Sequence, residues 1–341
     1  TISKEELTKV EDACIEDLIA KQKAAGYHVI TDGEFRRATW HLDFMWEFEG
    51  VGHSKTKTGL PFHGEAAMID DTYLTGKVSY KSGHAFVQHF AFVKQFEDEN
   101  TVAKLTIPAP AQFLEQMIMP FAWENTSKYY ETPEQVAEDI AQGYRAFIQE
   151  VYAAGCRNLQ LDDCSWGMVV DPNAPALFGT TKAGLENIKK QLLEINNKAI
   201  EGAPADLIIN THVCRGNFHS TYASSGAYDS VAETLFAKEN VNAYYLEFDD
   251  ARSGGFECLK AVSGDKKVVL GLITTKSPKL EDKQAVIARI HEAAKYVPLD
   301  RLYLSPQCGF ASCEIGNKLT EKQQWAKLAL VKEIAEEVWG K

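Results

Sequence analysis

Two stretches far apart in the chain repeat one pattern. "EDLIAKQKAAGYHVITDGEF" (16–35) and "RAFIQEVYAAGCRNLQLDDC" (145–164) each read as an amphipathic helix, then Ala-Ala-Gly, then a short β-rich run that ends on acidic residues. Gly26 and Gly155 fall where a helix C-cap needs a positive φ. Thr132-Pro133-Glu134-Gln135 offers the second helix an N-cap, a proline at its first position and a capping-box partner. These are αβ units of a parallel sheet, and they constrain the fold more than any total does.

The same rule finds seven strands, at 28–35, 103–110, 158–164, 205–214, 243–250, 266–275 and 301–309. Helical segments separate most of them, for example 184–200, 228–239, 281–296 and 320–338. The exception is 76–96, whose alternation around Ser82-Gly83 predicts a β-hairpin insertion. Seven strands with helices between them predict an α/β TIM barrel, (β/α)₈, as one catalytic domain over 1–341, with its first strand missing from this chain. An open doubly wound sheet is the alternative, but no G-x-G-x-x-G follows a strand.

Barrel chemistry sits at the C-terminal ends of strands. Those ends offer Asp32 and Glu34, the Pro108 and Pro110 pair, Asp162 and Asp163, His212 and Cys214, Glu247 with Asp249 and Asp250, Lys276, and Cys308. His212 and Cys214 are two apart, so on an extended segment they share a face. Glu247 and Cys308 would complete a tetrahedral set whose thiolates and imidazole favour Zn²⁺. The plainer alternative is four independent buried residues. Glu34 and Asp162 end matching units at one barrel mouth, suited to a cationic group such as an amine, or to a divalent ion held through oxygen. In "GEFRRATWHLDF" (33–44), Arg36, Arg37, Trp40 and His41 are read as a lid that binds a substrate carboxylate, or else as residues packing the loop.

Composition narrows the partners. Forty-eight acidic against 36 basic side chains give a net charge of −12 with no basic block, so nucleic acid is not expected. No apolar run is long enough to span a bilayer, and nothing resembles a secretory signal, so a cytoplasmic location is expected. Seven widely spaced cysteines read as thiols rather than a disulfide framework. Homo-oligomerisation is left open.

"HVCRGNF", "YYLEFDD" and "SPQCGF" together resemble the metal-site motifs of cobalamin-independent methionine synthases, in the same order and with similar spacing; "DGEF" and "LQLDD" are similar to that family's substrate motifs. The resemblance runs from about residue 28 to 312. It implies a single-barrel relative of the catalytic domain: a zinc-dependent S-methyltransferase that moves a methyl group from a 5-methyltetrahydrofolate-type donor to homocysteine, giving methionine. His212, Cys214, Glu247 and Cys308 would hold zinc, and Glu34 and Asp162 the homocysteine amine. Three features depart from the pattern. Lys276 stands where the family has a proton-relay histidine. The tryptophan that faces the pterin is missing from "TIPAPAQFL", leaving Phe113 or Trp166 as substitutes. The duplicated N-terminal barrel of the long enzymes has no counterpart here. Methylcobalamin as donor, a thiol transferase acting on an epoxide, a catalytically silent zinc-binding or small-molecule-binding barrel and a uroporphyrinogen-decarboxylase-like role are the alternatives.

Overall fold

The computed structural model describes residues 2–340. Helix α1 (Lys4–Ala24) opens the chain; Ser3 caps it in a reciprocal capping box with Glu6. Strand β1 (Val29–Ile30) follows and pairs in parallel with β6 (Val102–Ala103), which continues past Lys104 into β7 (Leu105–Pro108). From there the ladder runs in chain order through β8 (Asn158–Asp163), β9 (Ile208–Val213), β10 (Ala243–Glu247), β11 (Lys267–Ile273) and β12 (Leu302–Pro306), each step parallel. All seven predicted strands are present, wound in order with helices between them, as a TIM barrel requires. No ladder joins β12 to β1 among the described residues.

The helices bury one stripe each. On Pro133–Ala153 the buried positions include Val136, Ile140, Tyr144, Phe147, Ile148 and Val151, the period of a helix lying on a sheet. Pro133 starts this helix as expected, but Thr132 makes no side-chain cap bond, and Gln135 instead accepts from the Glu131 N–H at 2.9 Å. Gly26 and Gly155 have φ of 78° and 99°, so the helix ends before β1 and β8 do need left-handed backbone.

The insertion differs from the expectation for 76–96. Its hairpin lies earlier: β2 (Glu49–Ser54) pairs antiparallel with β5 (Asp71–Ser79), and the small pair β3 (Leu60–Phe62) and β4 (Glu65–Ala67) sits between them. Residues Ala85–Lys94 are a helix, capped by the His84 ring, which accepts from the Phe86 N–H. The run is so rich in Phe and Val that it satisfies periods of two and of 3.6 alike. Burial of Phe86, Phe90 and Val93, with Phe86 edge-on to Phe44, decides for the helix. No helix among the described residues is long and apolar enough to cross a membrane.

Beneath the strand ends, fully buried Asn196 on Leu185–Ile200 joins three units. It donates to Asp163 at 2.9 Å and to Glu239 at 2.7 Å, and accepts from the Ala111 N–H at 2.9 Å. Asn196→Ala removes a donor from each of two buried carboxylates and the acceptor of a buried amide, and is expected to cost about 3 kcal/mol. A lower urea midpoint at unchanged m-value is the expected result.

Candidate metal centre and substrate cavity

The ladder places Tyr245 opposite His212 and Leu246 opposite Val213, so Glu247, at the end of β10, is level with Cys214 just past β9. Cys308 follows β12. It comes close because Gly271 of β11 has no side chain: a Cβ there would lie 2.7 Å from both the Leu246 carbonyl oxygen and Gln307 Cα. One ligand atom from each of His212, Cys214, Glu247 and Cys308 lies within 4.8 Å of all the others. Cys214 Sγ is 3.7 Å from Cys308 Sγ and 3.6 Å from Glu247 Oε1.

The donor set fits a soft divalent cation. His212 Nδ1 is 3.1 Å from the Tyr245 carbonyl oxygen; a proton donated there leaves Nε2 with its lone pair free. Nε2 is buried and has no partner among the described residues, and neither does Glu247 Oε2. Burial, with the neighbouring Cys214 sulfur, pushes the Glu247 carboxyl up to about 8. A bound cation would reverse that logic.

Arginines back the cluster. Arg215 is fully buried and bonds the Gly226 carbonyl through Nε at 3.0 Å and Nη2 at 2.6 Å, its guanidinium 4.0 Å from the centre of the Tyr228 ring. Its Nη1 stands 3.7 Å from Glu247 Oε2, and Arg252 Nη2 stands 3.9 Å from the same oxygen. Tyr228 fixes the backbone by accepting the Glu247 N–H at 2.9 Å. Sequence reading missed Arg215, since nothing in "CRG" says that an arginine there is buried. Its position next to Cys214 was the only signal.

Lys276 reaches the same place. Its Nζ donates to Asn217 Oδ1 at 2.6 Å, while Asn217 Nδ2 donates to the Gly309 carbonyl at 2.6 Å, so Asn217 ties the segments after β9, β11 and β12 together. The Lys276 charge opposes the rise of both Glu247, pushed up chiefly by burial, and Cys308, pushed up chiefly by its bond to Cys214.

Glu34 and Asp162 stand beside the cluster. Glu34 has φ of 62°, a conformation that costs a non-glycine residue energy, held by the Asp32 carboxylate accepting its N–H at 2.9 Å. Its side chain is 24% exposed at the cavity floor, bonded to the Thr106 hydroxyl and 3.1 Å from Arg37. Removal from bulk water raises it to about 7, with Arg37 pulling down and Asp162 pushing up. Asp162 pairs with His212 across the ladder, and Gln160 Nε2 donates to it at 2.6 Å.

The predicted lid residues separate. Trp40 and His41 stack at 4.3 Å and line the cavity. His41 is buried, and that burial pushes its ring down to about 3. Arg36 is turned away, paired with Glu11 at 3.0 Å and with Asp12 on α1. Phe113 and Trp166 are both fully buried core residues rather than aromatic walls of the site. The cavity itself, about 1450 Å³, is lined by the strand ends, by α1 and by the insertion from Thr58 to Tyr73.

A family model described as the catalytic domain of cobalamin-independent synthase matches residues 126–337. YxjH of Bacillus subtilis (strain 168), an uncharacterized protein, is 42% identical over 98% of this chain and 87% of its own. The chain belongs to the cobalamin-independent methionine synthase family. The methionine synthase of Pyrococcus horikoshii is 24% identical over 88% of this chain and 75% of its own. Among solved structures, a candidate vitamin-B12-independent methionine synthase from Listeria monocytogenes superposes with a TM-score of 0.77 at 35% identity, covering 100% of this chain and 90% of that one. The stretch matched by the cobalamin-independent methionine synthase model contains His212, Cys214, Glu247 and Cys308, whereas Glu34 lies before it.

Proposed function

We propose that the chain is a zinc-dependent S-methyltransferase that moves a methyl group from a 5-methyltetrahydrofolate-type donor to the thiol of homocysteine, giving methionine. The observation that carries this reading is the meeting of His212, Cys214, Glu247 and Cys308 in one cluster, three of them lining the cavity, in a member of this family. A free thiol has a pKa of roughly 8.5 and is mostly neutral near pH 7; zinc held by these four residues would stabilise the thiolate and so supply the nucleophile.

The chain's own residues do the rest. Glu34 and Asp162 pair with the homocysteine ammonium, which pulls both carboxyls back toward ionisation. Trp40 and His41 cover the amino-acid side of the cavity, and Arg37 holds Glu34 in place. Arg36 acts indirectly, by pinning the loop to α1. The donor atom that gives up its methyl group must gain a proton, and Lys276, tethered by Asn217, supplies it. The cavity is larger than an amino acid fills, which leaves room for a bulkier second substrate.

Metal analysis is expected to find one zinc per chain, lost in Cys214→Ser and in Cys308→Ser; full retention in both would contradict the ligand set. Methionine, measured by calorimetry, is expected to bind more weakly as pH falls below about 7, by up to about tenfold per unit, because the ammonium needs the ionised form of a carboxyl whose pKa is raised. Glu34→Gln should flatten that dependence, and an unaltered slope would remove Glu34 from the role. With methyltetrahydrofolate as donor, Lys276→Ala should lower kcat by about 10²-fold with zinc content intact; unchanged turnover rules the proton role out.

A further inference from the structure

Glu115 is a buried carboxyl that the reaction above leaves unused. It lies on helix Pro110–Ile118, which follows β7 and is buried on nearly every side: Ala111, Phe113, Leu114 and Met117 are core residues, and Glu115 itself is 2% exposed. Neither of its oxygens has a hydrogen-bond partner among the described residues. Asp163 and Glu239, also buried, each accept from Asn196; Glu115 has no such donor. Burial, with the Asp163 charge added, holds its carboxyl well above the usual carboxylate range. An unpartnered buried polar group costs folding energy, so an apolar side chain of similar size would suit this position better if packing were its only task.

The cavity supplies what the packing does not. Glu115 lines it together with Met117, Met119 and Phe121, which carry that wall along the chain to the exposed Phe121 ring. Gln112, one turn earlier, accepts the Cys164 N–H at 3.0 Å and so ties the helix to the end of β8, the strand that pairs with β9 of the donor cluster. The Lys and Arg side chains on the lining are Lys21 and Arg215. Lys21 is held by Asp17 and Glu321, each at 2.7 Å, and Arg215 by the Gly226 carbonyl, so neither is left to neutralise Glu115 or to attract an anion to it. A hydrogen-bonding acid set in apolar, polarisable surface fits a flat nitrogen heterocycle. On the donor reading above, we propose that Glu115 is the residue that recognises the methyl donor, by bonding the aminopyrimidine edge of its ring. A carboxyl matches that edge: one oxygen accepts from the exocyclic amino group while the other bonds the ring nitrogen beside it. A donor without that amino group leaves the buried carboxyl unpaired, which makes Glu115 a source of specificity as well as affinity.

The alternative is a carboxyl that serves only the packing of its helix, and binding and stability together separate the two. Calorimetry on the zinc-loaded protein is expected to show 5-methyltetrahydrofolate bound about thirtyfold more weakly by Glu115→Leu and Glu115→Met, with zinc content and homocysteine affinity unchanged. Tm should rise in both variants, because an unpartnered buried acid has been removed; a packing role predicts a fall. The analogue whose 2-amino group is replaced by methyl should bind the wild type at least tenfold more weakly than 5-methyltetrahydrofolate, while Glu115→Leu should not distinguish the two. Equal donor affinity in wild type and variants, or a wild type indifferent to the amino group, would overturn this proposal alone. A wild type that binds no methyltetrahydrofolate would overturn the donor reading along with it.

Discussion

Parallel pairing of β8, β9 and β10 decides which strand-end side chains share a level, because each in-register step leaves neighbouring strands about 4.8 Å apart. His212 faces Asp162 on one side and Tyr245 on the other; two residues on, Cys214 meets Glu247. A slip of one residue in β9 would turn His212 and Cys214 to the outer face together. The hydrophobic alternation that fixes the register also fixes the donor set, so the core and the site are specified by the same pattern. Gly271 adds the one step that pairing cannot supply, by letting the segment after β12 close on the cluster.

Such a cluster is electrostatically costly without a cation. Glu247 and Cys214 are withdrawn from water and Cys308 partly so, and Glu247 responds by shifting toward its neutral form. Arg215 and Arg252 stand 3.7 and 3.9 Å from its outer oxygen, beyond hydrogen-bond length, so they offset the charge without taking the lone pairs. The oxygen and the His212 Nε2 are both left unbonded among the described residues. Buried polar atoms rarely go unpaired, and these two belong to residues of the same four-residue cluster. Deeper in the fold, Asn196 donates to one oxygen each of Asp163 and Glu239.

The parts of this protein legible in its sequence are those written in local period and strand-end chemistry. The seven strands were legible because each is an apolar run closed by polar residues. The meeting of His212, Cys214, Glu247 and Cys308 was legible because the first two lie two apart and the others fall at equivalent strand ends. Non-local geometry hid the rest. The helix at 85–94 reads as a strand until the aromatic surface it packs on is known. Arg36 reads as a substrate ligand until α1 brings Glu11 and Asp12 to it.

The cavity wall is built from two materials with different tolerance to change. The floor is the ladder and its first few residues beyond, where Gly271, Asn217 and the arginines leave little room to move. Much of the opposite wall is the insertion, whose β3 and β4 pair reaches the barrel through a few polar contacts: His63 N–H to the Tyr222 carbonyl at 2.8 Å, Thr221 to the His63 carbonyl at 2.7 Å, and Glu65 beside His219 at 3.2 Å. Loop-borne contacts of this kind can be replaced without disturbing strand register. A change in the insertion therefore reshapes this wall of the cavity while the donor cluster stays as the ladder sets it. Donor cluster and cavity wall are thus separable in this fold, the first fixed by backbone pairing and the second shared with the insertion.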